Sequence, residues 1–329
     1  MQSRFTGVSL GMAAFFGFHM PNYTYPGTPN DRLFDRIVES TKAAEKAGFD
    51  MVTVMDHFYQ IRGVGPETDP MLEAYTTLAA LATQTSRVKL GTLVTGVTYR
   101  NPAFLAKTVT TLDVISKGRA IMGIGAAWNE NEHIGYGWEF PPIKERMDRL
   151  EEALIIIKRM FTEERPSFEG KHYRIHEALN VPRPIQPGGP KVLIGGTGET
   201  RTLKLLARHG DIGHWFGGDL NDLKRKKQIF EQHCQAEGRD PSSVLLTVGL
   251  NFILVEDERQ GAAIMESLVP ERRAMASIKT VKQAAETLAE HLEAGFGGFT
   301  FGNVTLRTPE AIALAGELIK TVNGTRVAA

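Results

Sequence analysis

The sequence predicts a (β/α)8 barrel, the TIM-barrel architecture. Three observations carry that expectation. Eight short apolar runs, nearly all separated by helical stripes, follow one another along the chain. The runs are apolar on both faces, as parallel strands are when other elements cover both of their sides. The residues just past their C-terminal ends are small, polar or aromatic, as at a rim that carries a site. With 329 residues the chain suits one such unit, expected over 1–329 with a non-barrel excursion at about 163–190.

In chain order, Arg4 followed by the apolar run Val8 to Phe18 resembles a secretion signal. Gly11 and Gly17 interrupt it and no small-residue cleavage site follows, so it is read as the first strand. A polar loop, Pro21 to Pro29, carries Tyr23 and Tyr25. The helix Asp31 to Gly48 presents Leu33, Ile37 and Ala44 on one face and stops at a glycine. Strand two, Met51 to Met55, is followed directly by Asp56-His57-Phe58-Tyr59, and a helix carries Tyr75, Leu78 and Leu81. Strand Val88 to Val94, helix Pro102 to Ser116 and strand Ala120 to Gly125 form a crossover unit whose strands end on one rim. An aromatic and glycine-rich loop around Tyr136 to Phe140 leads to the amphipathic helix Lys144 to Phe161. A hairpin turning at Glu169-Gly170 and a proline-pinned crossing make up the excursion. Strand Lys191 to Ile194, helix Glu199 to His209, strand Ile212 to Phe216 and helix Leu220 to Glu237 restore the rhythm. A long, bent strand Val244 to Val255, helices near Gly261 to Leu268 and Val281 to Ala294, strand Phe299 to Gly302 and helix Pro309 to Val322 close it.

Thirty-eight acidic residues balance thirty-eight basic ones, which removes a global electrostatic case for nucleic acid or an anionic membrane. No run approaches the length of a membrane span. The single cysteine, Cys234, cannot form an internal disulfide, and a reducing, cytoplasmic setting is expected. His133, His172, His176, His209 and His291 show no metal-ligand spacing, so no metal site is expected.

Three places at the expected rim can carry chemistry. His57, after strand two, stands where an imidazole can exchange a proton near neutrality, although a strand-end histidine also serves as a cap. Gly195-Gly196-Thr197-Gly198-Glu199-Thr200, between a strand and a helix, suits a phosphate on backbone N–H groups or is a plain tight turn. It has neither the lysine of a P-loop nor the spacing of a dinucleotide fingerprint. Trp128, Asn129 and Glu130 can meet a flat ring, or Trp128 can plug the barrel top. Of His214 and Trp215, alternation turns only one inward. The basic run Lys224 to Lys227 is read as a solvated helix face.

Together, DHF after strand two, LGTLVTGVTYRNPAFLAKTVTTLDVISKGR, GIGAAWNENE, FPPIKERMDRLEEAL, FEGKHYRI and LIGGTGETRTLKLLARHGD resemble the bacterial luciferase-like monooxygenase superfamily, and within it the oxidoreductases that use coenzyme F420. The resemblance runs from about Phe49 to Pro241. It implies a luciferase-like barrel and a proton-transferring histidine at His57, preceded by Asp56. It implies a strand-three bulge over Thr92, Leu93, Val94 and Thr95, often with a non-proline cis peptide, behind the cofactor ring. It places the strand-four rim at Ala126 to Asn129, with Trp128, and the cofactor phosphate at Gly195, Gly196, Thr197 and Gly198.

Two departures refine the expected activity. Relatives that oxidise sugar phosphates or secondary alcohols carry a tryptophan where this chain has Ile61, and a glutamate in the strand-four loop where it has Ala127-Trp128. The resemblance therefore favours a reductase: reduced F420 passes hydride to a small unsaturated or imine-like substrate, His57 donates the proton, and Trp128 with the Tyr136 to Phe140 loop excludes water. Reduced FMN with oxygen in a two-component monooxygenase, and a non-catalytic flavin or deazaflavin carrier, are the alternatives. The same resemblance implies a homodimer and a separate enzyme that reduces the cofactor.

Overall fold

The computed structural model describes residues 13–267, 273 and 276–327. Its main sheet runs through β1 (Phe15–Met20), β2 (Met51–Val54), β3 (Lys89–Thr92), β4 (Thr95–Gly96), β5 (Ala120–Gly125), β8 (Lys191–Gly195), β9 (Ile212–Trp215), β10 (Leu245–Leu250) and β13 (Gly298–Gly302). Every pairing within it is parallel. β5 pairs with both β3 and β4, so these are two pieces of one stave, and the nine strands close into an eight-staved barrel. A hairpin, β6 (Phe168–Glu169) with β7 (Arg174–Ile175), occupies the excursion. A small parallel pair, β11 (Ile253–Val255) with β12 (Ile278–Thr280), lies outside the barrel sheet.

Alternation sorts the side chains into two cores. Phe16, Phe18, Val52, Val54, Met122, Ile194, Trp215, Val248, Phe299 and Phe301 join the faces of the surrounding helices in one large buried cluster. Met51, Ile121, Leu193 and Ile212 form a second, smaller cluster with Phe15 and Leu245, from the starts of six staves. This apolar layer plugs the N-terminal end of the barrel. Above it the inward positions become polar or empty: His19, Thr53, Gly123, Gly125, Gly195, His214, Thr247 and Gly249.

Most expected elements lie within a residue or two of their place; helix Glu258–Ser267 starts three residues earlier than expected, helix Pro309–Val327 ends five residues later, and four others differ. The expected first strand begins at Val8, and Val8 to Met12 lie outside the described residues; the strand runs Phe15–Met20. The expected single strand Val244 to Val255 breaks at Asn251-Phe252, because Asn251 faces the cavity while the chain beyond it leaves to pair with β12. Helix Thr202–His209 starts three residues later than expected, after Gly198 and its turn. A helix, Glu130–Tyr136, stands where a loop was expected, with acidic residues in its first turn and Gly137 at φ 69° as its left-handed C-cap. Among the described residues no helix is long and apolar enough to cross a membrane, and no group of His, Cys, Asp or Glu is placed to hold a metal.

Candidate active site

At the C-terminal end of the staves lies a cavity of about 670 Å³, within the usual range of small-molecule sites. Its wall takes in strand ends from around the barrel, including His19, His57, Leu93-Val94, Gly195-Gly196, His214 and Thr300. Between β3 and β4 the peptide Leu93-Val94 is cis. Thr92 and Thr95 brace this bulge: their hydroxyls lie 3.0 Å apart, Thr92 donates to the Gly123 carbonyl, and Tyr75 Oη lies 2.9 Å from Thr95 Oγ1. The space Val94 occupies exists because Gly125 and Gly195 have no side chains. A Cβ on either would lie 3.0 Å from a Val94 methyl.

His57 is held from behind. Its Nδ1 lies 2.7 Å from Glu132 Oε1, the Phe58 amide donates to Oε2 at 2.8 Å, and the Tyr99 hydroxyl donates to Oε1. Glu132 is 0% exposed. Burial pushes its carboxyl up, but the hydrogen bonds from His57, Tyr99 and Phe58 outweigh it and hold the group below its ordinary value. An ionised carboxylate only accepts, so the proton in the His57–Glu132 bond sits on Nδ1 and Nε2 is left for the cavity. Phe58, Tyr99, Tyr136 and Trp138 pack edge-on or tilted against one another at centroid distances of 4.8–5.9 Å, covering this pair. Trp128 stands on the other side, 59% exposed, with its ring 5.4 Å from that of His57.

Asp56 turns away from the cavity into a buried ion pair with Arg100, whose two terminal nitrogens lie 2.5 and 3.1 Å from its carboxylate oxygens. Arg100 also reaches Glu73 at 2.6 Å and lies over the Tyr75 ring. Burial raises the Asp56 carboxyl against the pull of Arg100. Burial lowers the guanidinium, but Asp56 outweighs that and holds it above its ordinary range. The pair ties the end of β2 to the start of helix Pro102–Ile115 and so fixes the backbone that carries His57.

The profile of the luciferase-like monooxygenases matches residues 10–319. The chain belongs to the luciferase-like monooxygenase family. Similar proteins include the F420-dependent glucose-6-phosphate dehydrogenase of Kineococcus radiotolerans, 36% identical over 68% of this chain and 66% of that protein. The F420-dependent hydroxymycolic acid dehydrogenase of Mycobacterium tuberculosis is 33% identical over 69% of this chain and 61% of that protein. The chain thus spans less than two thirds of the length of these relatives. Solved structures share the fold: an F420-dependent secondary alcohol dehydrogenase with an F420-acetone adduct has a TM-score of 0.78 at 21% identity, covering 94% of this chain and 99% of that one. EDTA monooxygenase from Chelativorans sp. BNC1 has a TM-score of 0.81 at 16% identity, covering 95% and 94%.

For this luciferase-like monooxygenase family member the expected site residues divide. His57, Leu93, Val94, Ala126, Trp128, Gly195 and Gly196 line one cavity, together with Ile61. Thr92 and Thr95 stand behind the bulge and Asp56 behind His57, all buried. Asn129 occupies the N-cap position of the unexpected helix, where its carbonyl meets His133 Nδ1 at 2.7 Å. Thr197 and Gly198 lie beyond the cavity lining. The Gly196 amide donates to the His214 carbonyl at 3.0 Å, so the glycine turn offers one N–H fewer than its sequence suggests. The Tyr136 to Phe140 stretch, expected to exclude water, packs over Phe58, Tyr99 and His133 and so covers Glu132, outside the cavity lining. Glu132 went unread in the sequence because its signal, an acidic first turn ended by Gly137, lies within an aromatic stretch taken for a loop. Inward-facing His19 lies one residue past the apolar run Val8 to Phe18 expected as the first strand, which extends to Met20.

Proposed function

We propose that this chain is an F420-dependent oxidoreductase working as a reductase. One end of a polarised C=C or C=N bond receives a hydride and the other a proton from His57 Nε2, so two electrons and two hydrogens are added. The observation that carries the reading is the His57–Glu132 pair, which leaves one imidazole nitrogen on the wall of a cavity large enough for a ring and a small substrate. The F420-dependent relatives support the choice of cofactor. When bound, a reduced deazaflavin supplies the hydride and forms no useful oxygen adduct.

The chain's own residues do the rest. The bulge at Leu93-Val94, the small rim residue Ala126 and the Gly195-Gly196 backbone offer a seat without protruding side chains. Glu132 keeps Nδ1 protonated, so the proton given up by His57 leaves from Nε2 and the ring returns to a stable neutral form. Asp56 and Arg100 hold the strand end in place, and Trp128 narrows access to His57. We further propose a homodimer in a reducing compartment, supplied with reduced cofactor by a separate enzyme; light scattering during size exclusion reads the first.

The test is a pair of titrations and one variant. F420 should bind more tightly than FMN, followed by absorbance and fluorescence. His57→Ala should retain F420 affinity and lose turnover by about 10²-fold or more, the usual weight of a general acid. Tighter binding of FMN, or unchanged turnover in His57→Ala, overturns the reading.

A further inference from the structure

Strand register sets a second group of polar side chains into the same cavity, on staves the mechanism leaves unused. His214 of β9 stands opposite Thr247 of β10, and His19 of β1 opposite Thr53 of β2. Both histidines line the cavity, with Asn251 and Thr300 between them along the barrel wall. Trp215, by contrast, points outward and packs on Phe296 at 5.3 Å.

Thr247 Oγ1 lies 3.1 Å from the Gly213 carbonyl and 2.9 Å from His214 Nδ1. With its one hydroxyl proton given to the carbonyl it meets Nδ1 as an acceptor, and in that arrangement Nδ1 carries the proton and Nε2 is a bare lone pair. No hydrogen bond engages that Nε2 among the described residues. Its neighbour Gly249 leaves it uncovered: a Cβ there would lie 3.3 Å from Nε2. Burial pushes the imidazole down to about 3, with nearby His19 acting in the same direction, so the lone pair persists at neutral pH. His19, whose Nδ1 lies 3.0 Å from Thr53 Oγ1, is likewise pushed down to about 4, chiefly by burial. Facing the cavity, such a lone pair is open to a donor.

We propose that staves β9, β10, β13 and β1 form a substrate subsite for an uncharged organic molecule whose hydroxyl or N–H is donated to His214 Nε2. The inference rests on the reading of this cavity as the active site and names its substrate class. A carboxylate or phosphate offers only lone pairs to a group that is itself an acceptor, and no lysine or arginine side chain lines the cavity among the described residues. Phosphorylated sugars have hydroxyls to donate but are disfavoured because no cationic side chain of the lining meets their phosphate. The donor can come from the substrate or from a ring N–H of the cofactor; we assign it to the substrate, because the bulge and the glycine turn that seat the ring belong to the other staves, β3, β4 and β8.

The test titrates the F420-loaded protein with three probes of one shape: cyclohexanol, methoxycyclohexane and cyclohexanecarboxylate. Calorimetry should find cyclohexanol tightest, the ether about fivefold weaker for one lost neutral hydrogen bond, and the carboxylate weakest. Gly249→Ala, which covers Nε2 and leaves His214 in place, should erase the preference for the alcohol, and so should His214→Leu. His214→Gln, whose amide oxygen can take the place of Nε2, should restore it. F420 affinity, read by fluorescence, should not change in any variant. Equal binding of alcohol and ether, preference for the carboxylate, or a preference that survives Gly249→Ala overturns the proposal. Loss of F420 affinity in these variants gives the contact to the cofactor and overturns it too. If the unsubstituted protein fails to bind F420, the proposed function falls, while the same titration of the unloaded chain still reads the subsite.

Discussion

Glu132→Gln separates a carboxylate that positions His57 from one that merely fills space. The substitution keeps volume and shape and removes a charge. Three donors converge on the carboxylate: His57 Nδ1 at 2.7 Å, the Phe58 amide at 2.8 Å and the Tyr99 hydroxyl. A carboxamide can accept on one side only. With its nitrogen toward Phe58, two N–H groups face each other. With its nitrogen toward His57, the imidazole must hold its only proton on Nε2, which it cannot release without becoming an anion. Losing a charge-assisted bond in a fully buried place costs about 3 kcal/mol, which for a chain of 329 residues lowers Tm by about 4 °C. Turnover with reduced F420 should fall by about 10²- to 10⁴-fold while F420 affinity stays unchanged. Long-range ¹⁵N–¹H correlation reads the tautomer directly, with Nδ1–H expected in the unsubstituted protein. Tyr99→Phe removes one donor and leaves the carboxylate, so it should keep most of the turnover. Activity of Glu132→Gln within about threefold of the unsubstituted protein, with the same pH profile, would refute the role given to Glu132.

Arg100→Met leaves Asp56 buried without its counter-charge and should cost about 3–5 kcal/mol in urea unfolding, a loss that Asp56→Asn in the same chain should partly recover. Gly123→Ala places a Cβ 1.9 Å from the Thr92 carbonyl oxygen, a backbone atom with nowhere to go. Soluble yield and near-UV circular dichroism should both collapse. The acid limb of stability should carry the signature of His214. Its folded value is pushed down by burial to about 3 from an ordinary 6.5, so below pH 6.5 the unfolded chain takes up a proton that the folded one refuses. Its contribution is therefore complete above pH 6.5 and falls by about 1.4 kcal/mol per pH unit toward pH 3. His19 and His209, both pushed down to about 4, add slopes of the same sign, so urea unfolding from pH 7 to 4 should be steeper than one group gives, and His214→Gln should lower the slope by about 1.4 kcal/mol per pH unit.

The parts of the fold that local pattern controls were legible in the sequence. Ala120–Gly125 and Pro102–Ile115 are bounded by the residue types that begin and end such elements, and their spans follow. His57 could be found because the rim position after a strand is itself a pattern. Glu132 could not, since its bond to His57 bridges 75 residues and depends on a seven-residue helix too short for a periodic stripe. The glycine turn misled in the other direction. Glycine content suggests free amides, but only the chain's path shows that the Gly196 amide is already committed to His214. Which of His214 and Trp215 faces inward was undecidable from alternation alone; the register against Gly195 and Thr247 decides it.

The two halves of the barrel wall differ in what they present, and the difference follows from strand chemistry. On β5 and β8 the inward positions at the rim are Gly125 and Gly195, and the space they vacate is filled by Val94 from the bulge, so this half offers backbone and methyl groups. On β9, β10, β13 and β1 the inward positions carry His214, Thr247, Thr300 and His19; His214 meets Thr247 across the register, and His19 meets Thr53 of β2. A flat ring is held by contact over its face, and protruding side chains would interfere with that. A small substrate must be told from its neighbours by donors and acceptors at its edge. Gly125 and Gly195 can only gain a side chain, which crowds Val94, whereas each histidine or threonine on the other half can be exchanged singly for another polar group. Substitutions on β9 and β10 should therefore alter which molecule is turned over, and those at Gly125 and Gly195 should alter whether the cofactor is held at all.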